Sequence, residues 1–168
     1  MTWQAALEWI AARSDAFGIQ LAAAVICGAI VGLERQLRGK AIGIRTSILI
    51  CLATQVFVRL GSILVEPEVV ADPTRVLGQV VTGVGFLGAG VILARGGTIT
   101  GVTSAAVVWM LAAIGSTIGL GRPMEAVGLS AAVVAILIGV RRLEKTFKRL
   151  GESAEADPRD DEIATNAD

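Results

Sequence analysis

Long runs of hydrophobic residues, separated by short polar stretches, dominate the chain. Five such runs cover residues 16–33, 46–65, 76–94, 102–120 and 126–140. Each is close to the roughly 20 residues that a helix needs to cross the hydrocarbon core of a bilayer. Helices are expected because backbone groups find no water in that core and must bond within their own segment. The pattern predicts an all-α, polytopic integral membrane protein with five transmembrane helices.

Lysine and arginine residues are distributed unevenly between the two sides of these five runs. The connections after the first and third runs and the segment after the fifth hold ten basic residues, whereas the opposite side holds three: Arg13, Arg75 and Arg122. Loops rich in lysine and arginine stay in the cytoplasm. The asymmetry predicts that the amino terminus lies outside and the carboxyl terminus inside the cell.

The two ends differ from the membrane domain, which is predicted to cover residues 16–140. Residues 1–15 place Trp3, Leu7 and Ile10 at helical spacing, which is typical of a segment lying at the membrane interface. Residues 141–151 alternate basic and apolar positions and predict a basic amphipathic helix against the inner leaflet. Residues 152–168 hold seven acidic side chains and are predicted to be disordered.

Composition narrows the possible functions. The chain is 54% hydrophobic and 18% charged, with a mean hydropathy of +0.69 and with neither His nor Tyr. Without histidine there is no ordinary general base at neutral pH, and the commonest metal ligand is missing. We therefore expect no enzyme activity, no cofactor and no metal centre. The basic residues lie beside apolar runs, where lipid headgroups would be, so no nucleic-acid surface is expected.

Arg59 is the most informative polar residue, because it lies 14 residues into the second apolar run. A charge inside an apolar span is costly unless it reaches headgroups, pairs within the bundle or serves a pathway. One interpretation is that Arg59 snorkels to the outer headgroups. The other is a polar intramembrane site, in which Arg59 meets Gln55 one turn away and Gln79 of the third run.

A second polar group is predicted at the cytoplasmic end of the first two helices. Glu34 and Arg35 close the first run, and Arg45 and Thr46 open the second. Antiparallel packing would bring these four residues together, with Glu34 and Arg45 forming an ion pair. Such a pair at a solvated rim is worth under about 1 kcal/mol.

Glycine residues are concentrated where helices could pack closely. Residues 83–88 match the dinucleotide-binding pattern G-x-G-x-x-G, but the match lies inside an apolar run instead of at a strand-to-helix turn, so we interpret it as helix packing. Small residues spaced four apart let membrane helices approach each other. An unwound segment lining a cavity is the alternative. The predicted packing positions are Gly28, Gly32, Gly83, Gly85, Gly88, Gly90 and the mid-span Trp109.

Four sequence motifs, in this order and spacing, resemble the membrane domain of the MgtC/SapB family. They are G-x-x-x-G-L-E-R-Q at 28–36, G-I-R-T at 43–46, Q-V-V-T-G-V-G-F-L-G-A-G-V-I-L at 79–93 and G-V-T-S-A-A-V-V-W at 101–109. The resemblance extends from about residue 22 to 139. Ser47 stands where the family often has histidine, and Ser104 where it often has threonine. The 28 residues after Val140 are too few for the soluble domain that many relatives carry.

The resemblance implies a bacterial inner-membrane protein linked to growth under magnesium limitation, intracellular survival and membrane energetics. It suggests a regulatory protein that contacts itself, as a homo-oligomer, or a larger membrane complex such as the ATP synthase. The alternative is a small ion or polar-solute transporter or channel, with a path around Arg59. The lipid bilayer is a partner in either case.

Overall fold

The structure is a computed structural model that describes residues 3–63, 74–95 and 98–155. Side chains are described for residues 16–62, 74–94 and 98–147. Five helices and one short hairpin make up this part of the chain. In order they are α1 (Trp3–Leu37), α2 (Ile44–Ile63), α3 (Thr74–Val91), β1 (Leu93–Arg95), β2 (Thr98–Thr100), α4 (Val102–Gly119) and α5 (Pro123–Glu155).

All five helices are long and apolar enough to cross a membrane. The spanning segments are Ala16–Leu37, Ile44–Ser62, Thr74–Val91, Val102–Gly119 and Pro123–Phe147. The prediction of a helical, polytopic membrane protein with five spans is therefore confirmed. The orientation derived from the basic residues stays a prediction.

A two-stranded hairpin between α3 and α4 was not expected from the sequence. Leu93 pairs with Thr100, and Arg95 pairs with Thr98, in antiparallel register. The third helix consequently ends at Val91 rather than extending to residue 94 as predicted. The β-branched residues of β2 favour an extended backbone, and Gly101, at a φ of 92°, provides the left-handed turn that starts α4.

The core of the first compact unit, Met1–Val134, is formed where α1, α2 and α4 pack together. Helix α3 packs against α4 and more loosely against α2. Helix α4 is the most buried of the five spans. The central side chains have no exposed surface: Cys27 and Val31 of α1, Cys51 of α2, and Leu111 and Ile114 of α4.

Helices α1 and α5 extend beyond the predicted membrane domain. Most of the predicted interfacial segment, residues 1–15, belongs to α1, which runs from Trp3 without a break. The predicted basic helix, residues 141–151, likewise continues α5 and lies in the second compact unit, which begins at Ala135. Helix α5 reaches Glu155, so the first residues of the predicted disordered tail are helical, and residues 156–168 lie outside the described residues.

Candidate functional site

Three polar side chains of α1 and α2 form the first candidate site, which we call the amide–arginine cluster. Arg59 Nη1 donates a hydrogen bond to Gln20 Oε1 over 2.7 Å, and Gln55 Nε2 donates to the same oxygen over 3.2 Å. The Arg59 guanidinium also lies 4.7 Å from the centroid of the Phe17 ring, close enough for a cation–π contact. The predicted neighbours Arg59 and Gln55 are thus joined through Gln20, a residue of the first helix.

Gln79 does not belong to this cluster, and the predicted contact between Gln79 and Arg59 is wrong. Gln79 is exposed and lines a groove between α2 and α3, together with Phe57 and Gly61 of α2. Arg59 lies two residues from both, and each step along a helix turns by about 100°. The face of α2 that carries Arg59 is therefore opposite to the face that carries the groove.

The second candidate site lies at the carboxyl end of α1, and we call it the loop-end cluster. Glu34 forms an ion pair with Arg38 one turn later in the same helix. Arg35, which is only 3% exposed, donates from Nη2 to Ser104 Oγ of α4 over 2.5 Å. The Arg35–Ser104 bond fixes the end of α1 against the start of α4.

The predicted ion pair between Glu34 and Arg45 is wrong. Arg45 and its neighbour Thr46 are both exposed. Glu34 forms its ion pair instead within its own helix, because a partner four residues later needs no loop to be closed. The connection to α2 is held by another residue: Gln36 Oε1 accepts a hydrogen bond from the Ile44 amide over 3.2 Å and so caps the first turn of α2.

Several buried polar atoms in the two clusters have no hydrogen-bond partner among the described residues. They are Glu34 Oε2, Arg35 Nε, Ser47 Oγ and Gln55 Oε1. Three of the four lie in or beside the loop-end cluster, since the Ser47 side chain faces Gly32 of α1. An unpaired buried polar group costs about 1–3 kcal/mol. The loop-end cluster is therefore the more polar of the two sites, and its unpaired groups suit the binding of water or of a small polar molecule.

A close-packed layer separates the two clusters. Its side chains are the fully buried Cys27, Val31, Cys51, Leu111 and Ile114. Along α1 they lie between Gln20 and Glu34, on α2 they precede Gln55, and on α4 they follow Ser104. Cys51 donates its S–H to the Leu111 carbonyl over 3.4 Å. The Thr54 hydroxyl donates to the Ile50 carbonyl of its own helix over 2.8 Å. Both groups thus bond to backbone carbonyls inside the layer and do not connect the clusters.

Glycines allow the helices of this layer to touch at their backbones. A Cβ added to Gly28 would lie 2.7 Å from Ile48 Cα, and one added to Gly32 would lie 2.6 Å from Ile44 Cα. These two predicted packing positions do lie at a helix contact. The structure adds Gly115 and Gly119 of α4, where an added Cβ would lie 2.5 Å from the Cys51 carbonyl oxygen and 2.7 Å from the Gln55 carbonyl oxygen.

The other predicted packing positions lie elsewhere. A Cβ added to Gly83, Gly85 or Gly90 would meet no atom within 4 Å, and one added to Gly88 would meet Ala105 at 3.7 Å, an ordinary contact. Trp109 is 53% exposed instead of packed between helices. The glycine-rich part of α3 is thus mostly an exposed surface of this single chain.

The sequence contained signals for the residues that were missed. Gln20 is the one strongly polar side chain of the first apolar run, so it was the natural partner for a polar group on α2. Gly115 and Gly119 have the four-residue spacing of small residues that indicates a helix contact. Arg38 stands four residues after Glu34, the spacing of a helical ion pair.

The chemistry available at these sites is hydrogen bonding and charge pairing. Among the described residues, no three His, Cys, Asp or Glu side chains lie close enough to hold a metal ion. Glu34 is the one carboxylate of the two clusters, and Arg35 and Arg38 stand beside it. The arrangement suits the fixing of helices against each other.

The chain is similar to a known protein family and to several known bacterial proteins. The MgtC family model matches residues 21–146. The "Putative magnesium transporter YhiD" of Escherichia coli K12 is 45% identical over 136 residues, which cover 78% of this chain and 62% of YhiD. "Protein MgtC" of Salmonella typhimurium LT2 is 36% identical over 141 residues, which cover 84% of this chain and 59% of MgtC.

A third relative comes from another organism. An uncharacterised protein, slr0014 of Synechocystis, is 38% identical over 125 residues, which cover 74% of this chain and 52% of slr0014. The chain therefore spans between about half and three fifths of the length of these relatives. No solved structure matches the chain.

Proposed function

Because the chain belongs to the MgtC family, we propose that it is a regulatory membrane protein linked to growth under magnesium limitation, acting through helix contacts and without catalysis. The link to magnesium rests on the family and on the name of the relative YhiD. The bacterial inner membrane is the proposed location, with the amino terminus outside and the carboxyl terminus in the cytoplasm.

One observation carries the regulatory role: the close-packed layer separates the two polar clusters. Conduction of an ion needs polar groups or water along its path. The described residues offer polar groups at two levels of the α1–α2–α4 interface, and between them fully buried Val31, Leu111 and Ile114. Glycine contacts at Gly28 and Gly115 bring the helix backbones together there. This arrangement favours a solid helical core over a pathway.

The proposed contacts with a larger complex use the surface that this single chain leaves open. Helix α3 is the least buried span, and Phe86 on it is 81% exposed. We expect the chain to use such a face for a second copy or for a larger membrane complex, with the ATP synthase as the first candidate. Affinity purification from membranes, probed for ATP synthase subunits, tests that partner.

A transporter is the second candidate function, and the loop-end cluster is the observation that favours it. Glu34 is buried and keeps one carboxylate oxygen without a described partner, and carboxylate oxygens are the ligands that magnesium prefers. Against this, Arg35 and Arg38 lie next to the same carboxylate and would repel a cation. A transporter would also require the close-packed layer to open.

Flux measurements on purified protein in liposomes separate these two functions. Magnesium, potassium, proton and chloride movement would be followed together with the membrane potential. The regulatory proposal expects no flux above that of protein-free liposomes. Flux that is present in the wild type and lost in Glu34→Gln or Arg59→Gln would establish transport and contradict the proposal. Gly128→Ala, at an open position of α5, is the matched control.

A further inference from the structure

The groove between α2 and α3 is a second feature of the fold, independent of the polar clusters and of the proposed function. The two helices approach each other at Gly61, where an added Cβ would lie 2.5 Å from Val76 Cγ2. From that contact they enclose a groove of about 440 Å³, lined by Ile50 and Phe57 on one side and by Gly83 and Leu87 on the other.

The length of the groove matches one leaflet of a membrane. Its lining runs from Gly61 to Ile50 on α2 and from Val76 to Leu87 on α3. Eleven residues of helix extend over roughly 16 Å. The hydrocarbon of one leaflet is about 15 Å thick, half of the whole core. The groove therefore runs from one end of the two helices to the middle of the bilayer.

The polarity of the groove changes along this length. Of the lining residues, Thr54 and Gln79 carry polar side chains, and the Thr54 hydroxyl bonds to the Ile50 carbonyl of its own helix. The Gln79 amide makes no hydrogen bond to the described residues. Gln79 lies near the Gly61–Val76 end of the groove. The lining residues toward the other end, such as Val84 and Leu87, are apolar.

Arg75 extends this order to the start of α3. It precedes Gln79 by four residues, so the two exposed side chains share one face of the helix about 6 Å apart along its axis. The Arg75 cation, the Gln79 amide donor and the apolar part of the groove therefore follow one another toward the middle of the membrane. A glycerophospholipid presents the complementary groups in the same order: phosphate, ester carbonyl and acyl chain.

We propose that the groove binds one acyl chain of a glycerophospholipid. The Gln79 amide donates to the ester carbonyl, and Arg75 contacts the phosphate. A helix from a second copy fits these groups less well, because the Gln79 amide and the Arg75 cation would both need acceptors at the mouth, where a lipid provides them. An amide left unpaired in hydrocarbon is costly, which favours an occupant that carries an acceptor.

The test is native mass spectrometry of the purified full chain in mild detergent with added dipalmitoyl phosphatidylglycerol. The wild type should bind one lipid in preference to further ones. In Gly83→Leu the new side chain extends into the groove from a position where an added Cβ meets nothing within 4 Å. This variant should bind the lipid at least about tenfold more weakly, as expected for displacing several buried methylenes.

Gly85→Leu is the matched control, since it makes the same change at an equally open position of α3 that does not line the groove. It should bind as the wild type does. Arg75→Gln should weaken binding of phosphatidylglycerol about tenfold and leave binding of dipalmitoylglycerol, which lacks phosphate, unchanged. Gln79→Leu should weaken both, because the ester carbonyl is common to the two lipids.

Equal lipid binding by Gly83→Leu and Gly85→Leu would overturn the proposal. The proposal would also be overturned if a second copy of the chain occupied the groove. That outcome would be seen as a wild-type dimer that binds no lipid and that Gly83→Leu dissociates. Circular dichroism and thermal unfolding in detergent show whether each variant is folded. If Gly83→Leu does not fold, Ala53→Leu on the α2 side of the groove replaces it.

Discussion

Arg59 brings a full positive charge into an apolar helix, and its contacts with α1 hold it there. The guanidinium donates to Gln20 and lies over the Phe17 ring. Both contacts depend on a planar, delocalised cation, which can donate in the plane and stack above it at the same time. Lysine carries the same charge as a compact ammonium and cannot do both.

We therefore predict that Arg59→Lys impairs function while leaving the protein in the membrane. Losing the stacked, charge-assisted bond should cost about 1.5–3 kcal/mol of stability, which is too little to prevent insertion. The measurement is growth of a null strain under magnesium limitation, with the amount of protein in the membrane determined in parallel. Arg122→Lys, at an exposed ion pair with Glu125, is the control. Full rescue by Arg59→Lys would remove the cluster from the functional sites.

The loop-end cluster gives a second prediction at the residue scale. Arg38 neutralises Glu34, whose side chain is 6% exposed. Arg38→Ala leaves that carboxylate buried without its cation, whereas Glu34→Ala with Arg38→Ala removes the charge as well. The double variant should thus be more stable than Arg38→Ala alone, by about 1 kcal/mol or more. Unfolding in detergent is measured for Arg38→Ala, for Glu34→Ala and for the double variant, and strictly additive losses would refute the pairing.

Glycine positions decide how the helices pack, and equal glycine content does not mean equal contact. The four-residue spacing of small residues occurs both on α3, at Gly85 and Ala89, and on α4. Gly115 and Gly119 of α4 contact the backbone of α2, whereas a Cβ added to Gly85 of α3 would meet no atom within 4 Å. The sequence alone could not distinguish them, because spacing shows which residues share a face but not which face meets another helix. That choice depends on the whole set of neighbours.

Gly115→Ala tests this packing at the level of the helix. Its methyl group would overlap the Thr54 hydroxyl and the Cys51 carbonyl oxygen on α2. Overpacking of this kind typically costs 1–3 kcal/mol. Gly128→Ala adds the same methyl where nothing lies within 4 Å and should be neutral or slightly stabilising. Thermal unfolding of both variants in one detergent gives the comparison, and equal midpoints would contradict the α2–α4 contact.

The number of spans could be predicted from the sequence because hydrocarbon thickness sets the length of an apolar run. The partners of the polar residues could not. Arg59 has polar candidates on several helices, and only the rotation of α2 about its axis selects Gln20 over Gln79. The hairpin was missed for another reason: Leu93 and Ala94 of its first strand are apolar and resemble the end of a helix.

Topology is the prediction that concerns the whole molecule. A reporter fused after Asp168 should be active in the cytoplasm, and one inserted within residues 66–72 should be active outside, because ten basic residues flank one side of the spans and three the other. A paired phosphatase and fluorescent-protein fusion at each site reports both locations. Cytoplasmic signal from both sites would rule out five spans with this orientation.

The backbone contacts at Gly28, Gly32, Gly115 and Gly119 also have a consequence for motion. Helices that touch through their main chains cannot rotate or slide without collision, so α1, α2 and α4 should move as one rigid block. Helix α3 is less constrained, because the groove lies between it and α2 along about 16 Å of their length. If the protein changes shape in response to a signal, the displacement of least energy is a tilt of α3 away from α2 that keeps its tighter packing against α4.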